Sequence, residues 1–213
     1  MKKIGIVLRN EEKYKVISNE IINYLNPFDI IIIGIVLTDD MDFNKVIEII
    51  NICDGVILPG GDNYSDIDLK LCRYLNEKDI PTFGICLGMQ ILFEEGFEGD
   101  RCHGLGLIKG NIRKIEPKEK VKIPHMGWNK IVINNNDDII SGLSGDNFLY
   151  YVHSFMACEY MDENLIAYSN YGGVKVPGIV RKDNVIGMQF HPEKSGETGL
   201  NLLKKFGEMI KWK

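Results

Sequence analysis

Cys86 lies between two glycines, in the segment Gly84-Ile85-Cys86-Leu87-Gly88. The segment follows a short apolar run that starts at Pro81 and opens a stretch, Leu87 to Phe93, of helical character. A nucleophile presented on a tight strand-to-helix turn calls for this pattern. The turn is strained, and side chains at the flanking positions would collide with the neighbouring strand and helix. The positive potential at the start of a helix favours a thiolate over a thiol. Cys53, Cys72, Cys102 and Cys158 lack such flanks and read as small buried apolar residues.

A cysteine nucleophile needs a base, or an imidazolium that stabilises its thiolate. The chain has four histidines: His103, His125, His153 and His191. His191 directly follows the apolar run VIGMQF (185–190), which places it at the C-terminal end of a strand, where open α/β sheets carry their sites. Glu193 follows across Pro192. Proline fixes its own φ and restricts the residue before it, so a stiff His-Pro-Glu turn can hold a carboxylate against the far ring nitrogen. The expected catalytic set is Cys86 as nucleophile, His191 as acid and base, and Glu193 as its orienting partner.

Other residues fall into supporting roles. Gly60 and Gly61, in Leu58-Pro59-Gly60-Gly61-Asp62, end a further apolar run and leave backbone amides unobstructed. With the Leu87 amide they are expected to hold an oxyanion. Gln90 lies one helical turn beyond Cys86 on the same face and is expected to reach the polar end of a substrate. His153, Ser154 and Phe155 follow the run YYV and are expected to line the pocket. No paired-cysteine pattern points to a metal, and neither metal nor cofactor is expected.

The elements that position these residues alternate along the first half of the chain. Strands are predicted at 4–7, 30–37, 55–59 and 81–85, with helices over 14–25, 43–52, 66–76 and 87–93. The continuous apolar run IIIIGIVL (30–37) predicts a strand buried on both faces. Turn signals from Gly104 to Ser169 predict short antiparallel strands, and the chain closes with a strand at 185–190 and a helix over 197–211. The expected fold is α/β: a mostly parallel central sheet with flanking helices and an antiparallel β section on one edge. Residues 1–213 read as a single domain.

Bulk composition narrows the function classes. The net charge is −5, and the one basic cluster, Arg113 to Lys122, is interrupted by Glu116, Pro117 and Glu119. It reads as a solvated loop, and no nucleic-acid partner is expected. The apolar run Ile4 to Leu8 is too short for a signal-peptide core, and no run is long enough to span a membrane. The five cysteines include no CxxC pair, so a reducing, cytoplasmic setting is expected.

The segments GICLGMQ (84–90) and QFHPEKSG (189–196) together resemble the class I (triad) glutamine amidotransferases. GLGLIKGNI (104–112), IPHMGWNKI (123–131), YYVHSFMA (150–157) and GMQFHPEKSGETGLNLLKKF (187–206) resemble more narrowly the glutaminase subunits of imidazole glycerol phosphate synthase, enzymes of histidine biosynthesis. The resemblance implies that Cys86 attacks the side-chain amide of glutamine, that His191 protonates the departing ammonia, and that water hydrolyses the resulting thioester. It implies that Gln90, Ser154 and Phe155 hold the α-amino and α-carboxylate groups. Ammonia would pass to a cyclase-type synthase subunit, with PHMGWN (124–129), including His125 and Trp128, near that interface. The first half departs from those subunits. LRNEEKY (8–14) stands where they carry a glycine- and asparagine-containing segment, and PGGDN (59–63) where their oxyanion loop reads PGVG. The opening IGIVLRN and the PGGDN loop favour a second reading, a free-standing γ-glutamyl hydrolase that cleaves a γ-glutamyl amide conjugate.

Overall fold

The computed structural model describes residues 1–9, 19–23, 25, 29–38, 42–61, 66–96, 102–143 and 146–210. An eight-stranded sheet runs through the molecule. Its parallel part consists of β1 (Lys2–Arg9), β2 (Ile30–Leu37), β3 (Gly55–Leu58), β4 (Thr82–Ile85) and, far along the chain, β14 (Val185–Met188). The strand order is β2-β1-β3-β4-β14, continued by β13 (Val174–Lys182), β12 (Leu165–Tyr171) and β9 (Val132–Ile133). The last three join antiparallel, so the architecture is α/β with a mostly parallel sheet and an antiparallel edge, as the sequence predicts. Helices α1 (Phe43–Asn51) and α2 (Asp66–Glu77) connect the early strands. The single turn α3 (Leu87–Gln90) follows β4, and α4 (Gly196–Met209) closes the described chain.

The two faces of the sheet bury separate cores. On one face Ile57, Phe83, Ile85 and Ile186 pack with Leu202, Leu203 and Phe206 of α4. The rings of Phe83 and Phe206 are 4.8 Å apart. On the other face Val56 and Leu58 pack with Val46 and Ile50 of α1 and Leu71 and Leu75 of α2. Each fully buried side chain of this size contributes roughly 1.5–3 kcal/mol, which is what fixes the helices to the sheet. Cys53 and Cys72 belong to the second core, as their lack of glycine flanks predicts.

Two expectations are corrected. Strand β2 is not buried on both faces: it ends the strand order among the described residues, and Val36 is 43% exposed. The helix after Cys86 stops at Gln90, short of Phe93. The carbonyls of Ile91, Leu92, Phe93 and Glu94 accept instead from the amides of Leu105, Ile108, Gly106 and Gly104, so a returning segment takes the bonds that would have continued the helix. The antiparallel section lies on the sheet edge, as expected. It also forms a two-stranded ribbon of β8 (His125–Lys130) and β10 (Phe148–His153), and a small sheet of β11 (Phe155–Cys158), β7 (Asn111–Lys114), β5 (Glu95–Gly96) and β6 (Cys102–His103). Strand β13 carries a Pro177-Gly178 pair. Its partner β12 is irregular there, with a register shift between Ala167 and Tyr168 opposite that pair.

The helix expected over 14–25 is seen at residues 19–23 and 25, and residues 10–18 lie outside the described residues, as do Asp62 and Asn63. Among the described residues no helix is long and apolar enough to cross a membrane. Residues Lys118 to Lys122 are exposed, as expected of a solvated loop.

Candidate active site

The site sits where β3, β4 and β14 end side by side. Register pairs Leu58 with Gly84 and Met188 with Ile85, so the residues that follow these strands, Gly60, Cys86 and His191, emerge at one end of the sheet. Cys86 occupies φ 52° and ψ −105°, a conformation that side chains rarely adopt. Such a backbone costs of the order of 1–3 kcal/mol and persists only when its surroundings impose it. Here the Cys86 amide donates to Met188 O at 2.7 Å and its carbonyl accepts from Met89 and Gln90 N–H. Both flanking glycines are sterically required. A Cβ on Gly84 would stand 2.3 Å from Gly88 O, and a Cβ on Gly88 would stand 2.2 Å from Leu58 O. Because α3 is one turn long, its effect on the thiol comes from nearby amides rather than from a long helix dipole.

His191 is fixed through its main chain. Its amide donates to Tyr150 O at 2.8 Å, and its carbonyl accepts from Ser195 Oγ at 2.6 Å. The same Ser195 hydroxyl oxygen accepts from Tyr150 N–H at 2.9 Å. The short 3-10 turn Pro192–Lys194 then carries Glu193 back to the ring. Glu193 Oε1 lies 2.7 Å from His191 Nδ1, and both side chains are buried. Burial alone would push the imidazolium down. Hydrogen bonds to Cys86 and Glu193, and their negative charge, outweigh it and raise the ring to about 10. The arrangement therefore favours an imidazolium beside the sulfur, with the carboxylate oriented on the far nitrogen. Gly60 closes the other side: a Cβ there would lie 3.2 Å from His191 Cε1 and 3.4 Å from Cys86 Cβ.

Leu87 is the first residue of α3, directly beyond Cys86, and Gly61 follows Gly60. Gln90 is buried, with its amide nitrogen 3.4 Å from Gln189 Oε1. Gln189 is a residue that the sequence reading does not single out. It is fully buried and directs its own amide nitrogen to Cys86 Sγ at 3.7 Å. A polar residue inside the apolar run VIGMQF was the available signal. Ser154 and Phe155 are partly exposed at the turn into β11, and Phe155 packs against the second core.

His153 and His125 form a buried layer beneath the ribbon. Asn129 Nδ2 donates to His125 Nε2 at 3.1 Å, so His125 Nδ1–H donates to His153 Nε2 at 3.0 Å. His153 Nδ1–H in turn donates to Phe155 O at 2.7 Å. Every bond in this chain uses the neutral form of each ring. Burial pushes His125 down to about 4. Burial, then the charges of His125 and His191, push His153 to about 3 against its bond to Phe155 O. His125 is also sandwiched between Tyr151 and Tyr171, at 4.5 and 3.9 Å. With both ring nitrogens engaged, His153 offers no free donor. Of the two residues expected at a partner interface, Trp128 is 56% exposed, whereas His125 lies under the surface.

The family model described as "Glutamine amidotransferase class-I" matches residues 12–209. The imidazole glycerol phosphate synthase subunit HisH of Lactococcus lactis subsp. lactis (strain IL1403) is 53% identical over 131 residues, which are 61% of this chain and 63% of that protein. The subunit of the same name from Bacillus cereus (strain B4264) is 50% identical over 134 residues, 62% of each. The chain thus spans a little under two thirds of the length of these relatives. Among solved structures, the glutaminase domain of Trypanosoma brucei CTPS with bound acivicin has a TM-score of 0.64 at 14% identity, covering 100% of this chain and 96% of that one. A glutamine amidotransferase from Thermotoga maritima has a TM-score of 0.61 at 12% identity, covering 97% and 83%. These two establish the shared fold. With a family match running over nearly the whole chain and a cysteine held on a strained elbow beside a buried His-Glu pair, the chain belongs to the class I glutamine amidotransferases.

Proposed function

We propose that the protein is a glutaminase that hydrolyses the side-chain amide of glutamine through a thioester on Cys86 and delivers the ammonia to a synthase subunit. The observation that carries the chemistry is the buried His191–Glu193 pair, raised well above the ordinary histidine range beside Cys86. In this reading Cys86 Sγ attacks the amide carbon, and the oxyanion is held by the backbone amides of Leu87 and of the Gly60-Gly61 loop. The carbon–nitrogen bond breaks as His191 gives its proton to the departing nitrogen, which leaves as ammonia. His191 then takes a proton from water as that water attacks the thioester. Glutamate leaves and the Cys86 thiolate returns. In the same reading Gln90, Ser154 and Phe155 would hold the α-amino and α-carboxylate groups. The chemistry needs no cofactor, and a reduced thiol suits a cytoplasmic setting.

The partner reading rests on two supports. The relatives of about half identity carry the name of an imidazole glycerol phosphate synthase subunit. The ribbon of β8 and β10 also turns an apolar face outward: Met126, Trp128 and Phe148 are 59%, 56% and 47% exposed. A cyclase-type synthase subunit is the proposed occupant, which would place the protein in histidine biosynthesis. A second reading, a free-standing γ-glutamyl hydrolase acting on another γ-glutamyl amide, is favoured by the PGGDN loop. The test is glutamine hydrolysis by the purified chain with and without a cyclase-type synthase. The expected result is slow hydrolysis alone and strong activation by the partner. Steady turnover of γ-glutamyl amide conjugates that no synthase changes would establish the second reading instead.

A further inference from the structure

Among the described residues, Gln189 is a buried polar side chain that reaches the reacting sulfur from outside the triad residues named above. Its amide nitrogen lies 3.7 Å from Cys86 Sγ, and its oxygen lies 3.4 Å from Gln90 Nε2. It is fully buried at the end of the run that leads to His191, and its backbone amide donates to Gly178 O at 2.9 Å. The side chain therefore has no solvent to turn toward. An anionic sulfur accepts hydrogen bonds and donates none, so the nitrogen of Gln189 must face it. That choice turns the Gln189 oxygen to Gln90, whose NH2 must then face Gln189. The two amides hold each other in one orientation, and the Gln90 oxygen is left for other partners.

We propose that Gln189 is a positioning residue that donates a hydrogen bond to the Cys86 thiolate and ties the nucleophile to Gln90. It has two consequences. The sulfur is held by a second donor besides its chemical base, which limits the directions in which it can swing. The orientation of Gln90 is also set by the same amide that senses the sulfur, so a displacement of Gln90 is felt at the nucleophile. The inference rests on Cys86 being the nucleophile.

The test reads the sulfur without using the substrate. Alkylation of Cys86 by iodoacetamide near neutral pH is followed by mass spectrometry of its peptide, in the wild type, Gln189→Leu, Gln189→Glu and Gln90→Met. Hydrogen bonds to charged groups are strong enough that loss of this one is expected to slow alkylation about tenfold in Gln189→Leu. Gln189→Glu places a carboxylate beside the sulfur and is expected to be slower still, although its shape is unchanged. Gln90→Met, which removes only the group that orients Gln189, is expected to slow alkylation about threefold. Thermal melting identifies any variant that fails to fold, and the other variants then decide. Alkylation within twofold of wild type in the folded variants would overturn the proposal, as would a Gln189→Glu variant that reacts faster than Gln189→Leu. Cys86→Ala separates the two failures. If it keeps hydrolysis, the nucleophile is wrong. If it loses hydrolysis while Gln189→Leu alkylates normally, only the role of Gln189 is wrong.

Discussion

His191 Nδ1 and Glu193 Oε1 meet at 2.7 Å in a place closed to solvent. Replacing Glu193 by Gln keeps the shape and removes the charge that supports the imidazolium. The expected outcome is a fall in kcat of about 10²-fold or more, with KM little changed, because the carboxylate orients and supports the proton donor and makes no contact assigned to substrate binding. The sign of the pH effect follows from the raised ring. In the wild type the imidazolium persists until pH approaches about 10 and is lost above it. In the variant the alkaline limb of the rate profile is expected to move to lower pH. Steady-state kinetics across pH checks both.

The glycines around Cys86 separate folding from catalysis. Gly84→Ala would drive a Cβ to 2.3 Å from a backbone carbonyl, which cannot rotate away. A destabilisation of about 1–3 kcal/mol, or more, is expected from the shift of the denaturation midpoint. Gly60→Ala meets looser contacts of 3.2 and 3.4 Å, but with His191 and Cys86 themselves. Its melting is expected to stay near wild type while kcat falls. Equal loss of stability in both variants would contradict the distinction.

The neutral histidine layer makes the fold sensitive to acid. His125 and His153 are held down to about 4 and about 3 in the folded state. In the unfolded chain they take up protons below about 6.5, so the unfolded state binds more protons between these limits. Stability from this pair is fully present above about pH 6.5 and is lost as pH falls toward 4 and then 3. Urea unfolding at a series of pH values is expected to show that slope, and His125→Gln is expected to flatten it.

The exposed apolar ribbon predicts where the partner seats. Trp128 and Tyr150 are directly opposite in the register and pack edge to face at 6.0 Å. Large aromatic residues carry much of the energy of an interface. Trp128→Ala is expected to weaken binding to the synthase subunit by roughly tenfold to a hundredfold, measured by calorimetry or surface-bound titration. Unchanged affinity would move the docking surface elsewhere.

The chemistry was legible in the sequence because it depends on short-range spacing. The glycine pair around Cys86 and the His-Pro-Glu turn are local, and the structure brings them together through neighbouring strand ends. What escaped depends on contacts between distant segments. The early end of α3 is decided by the amides of residues 104–108, which no local pattern around Phe93 contains. The position of β2 at the end of the strand order cannot be read from its apolar composition. The burial of His125 follows from Tyr151 and Tyr171, both far along the chain. Gln189 gains its place only once Cys86 lies beside it, 103 residues away in sequence.

Strand β10 alternates strictly, with Leu149, Tyr151 and His153 buried and Phe148, Tyr150 and Val152 turned outward. The carbonyls of its outward residues Tyr150 and Val152 are the ones that approach His191 N and Cys86 Sγ. Because the side-chain period is two, one inserted or deleted residue before Phe148 would exchange the two sets along the whole strand. It would expose the histidine layer, bury the apolar outer row and offer the wrong carbonyls to the triad in a single step. The ribbon is thus open to change in residue identity, which can retune what it meets outside, and closed to change in length.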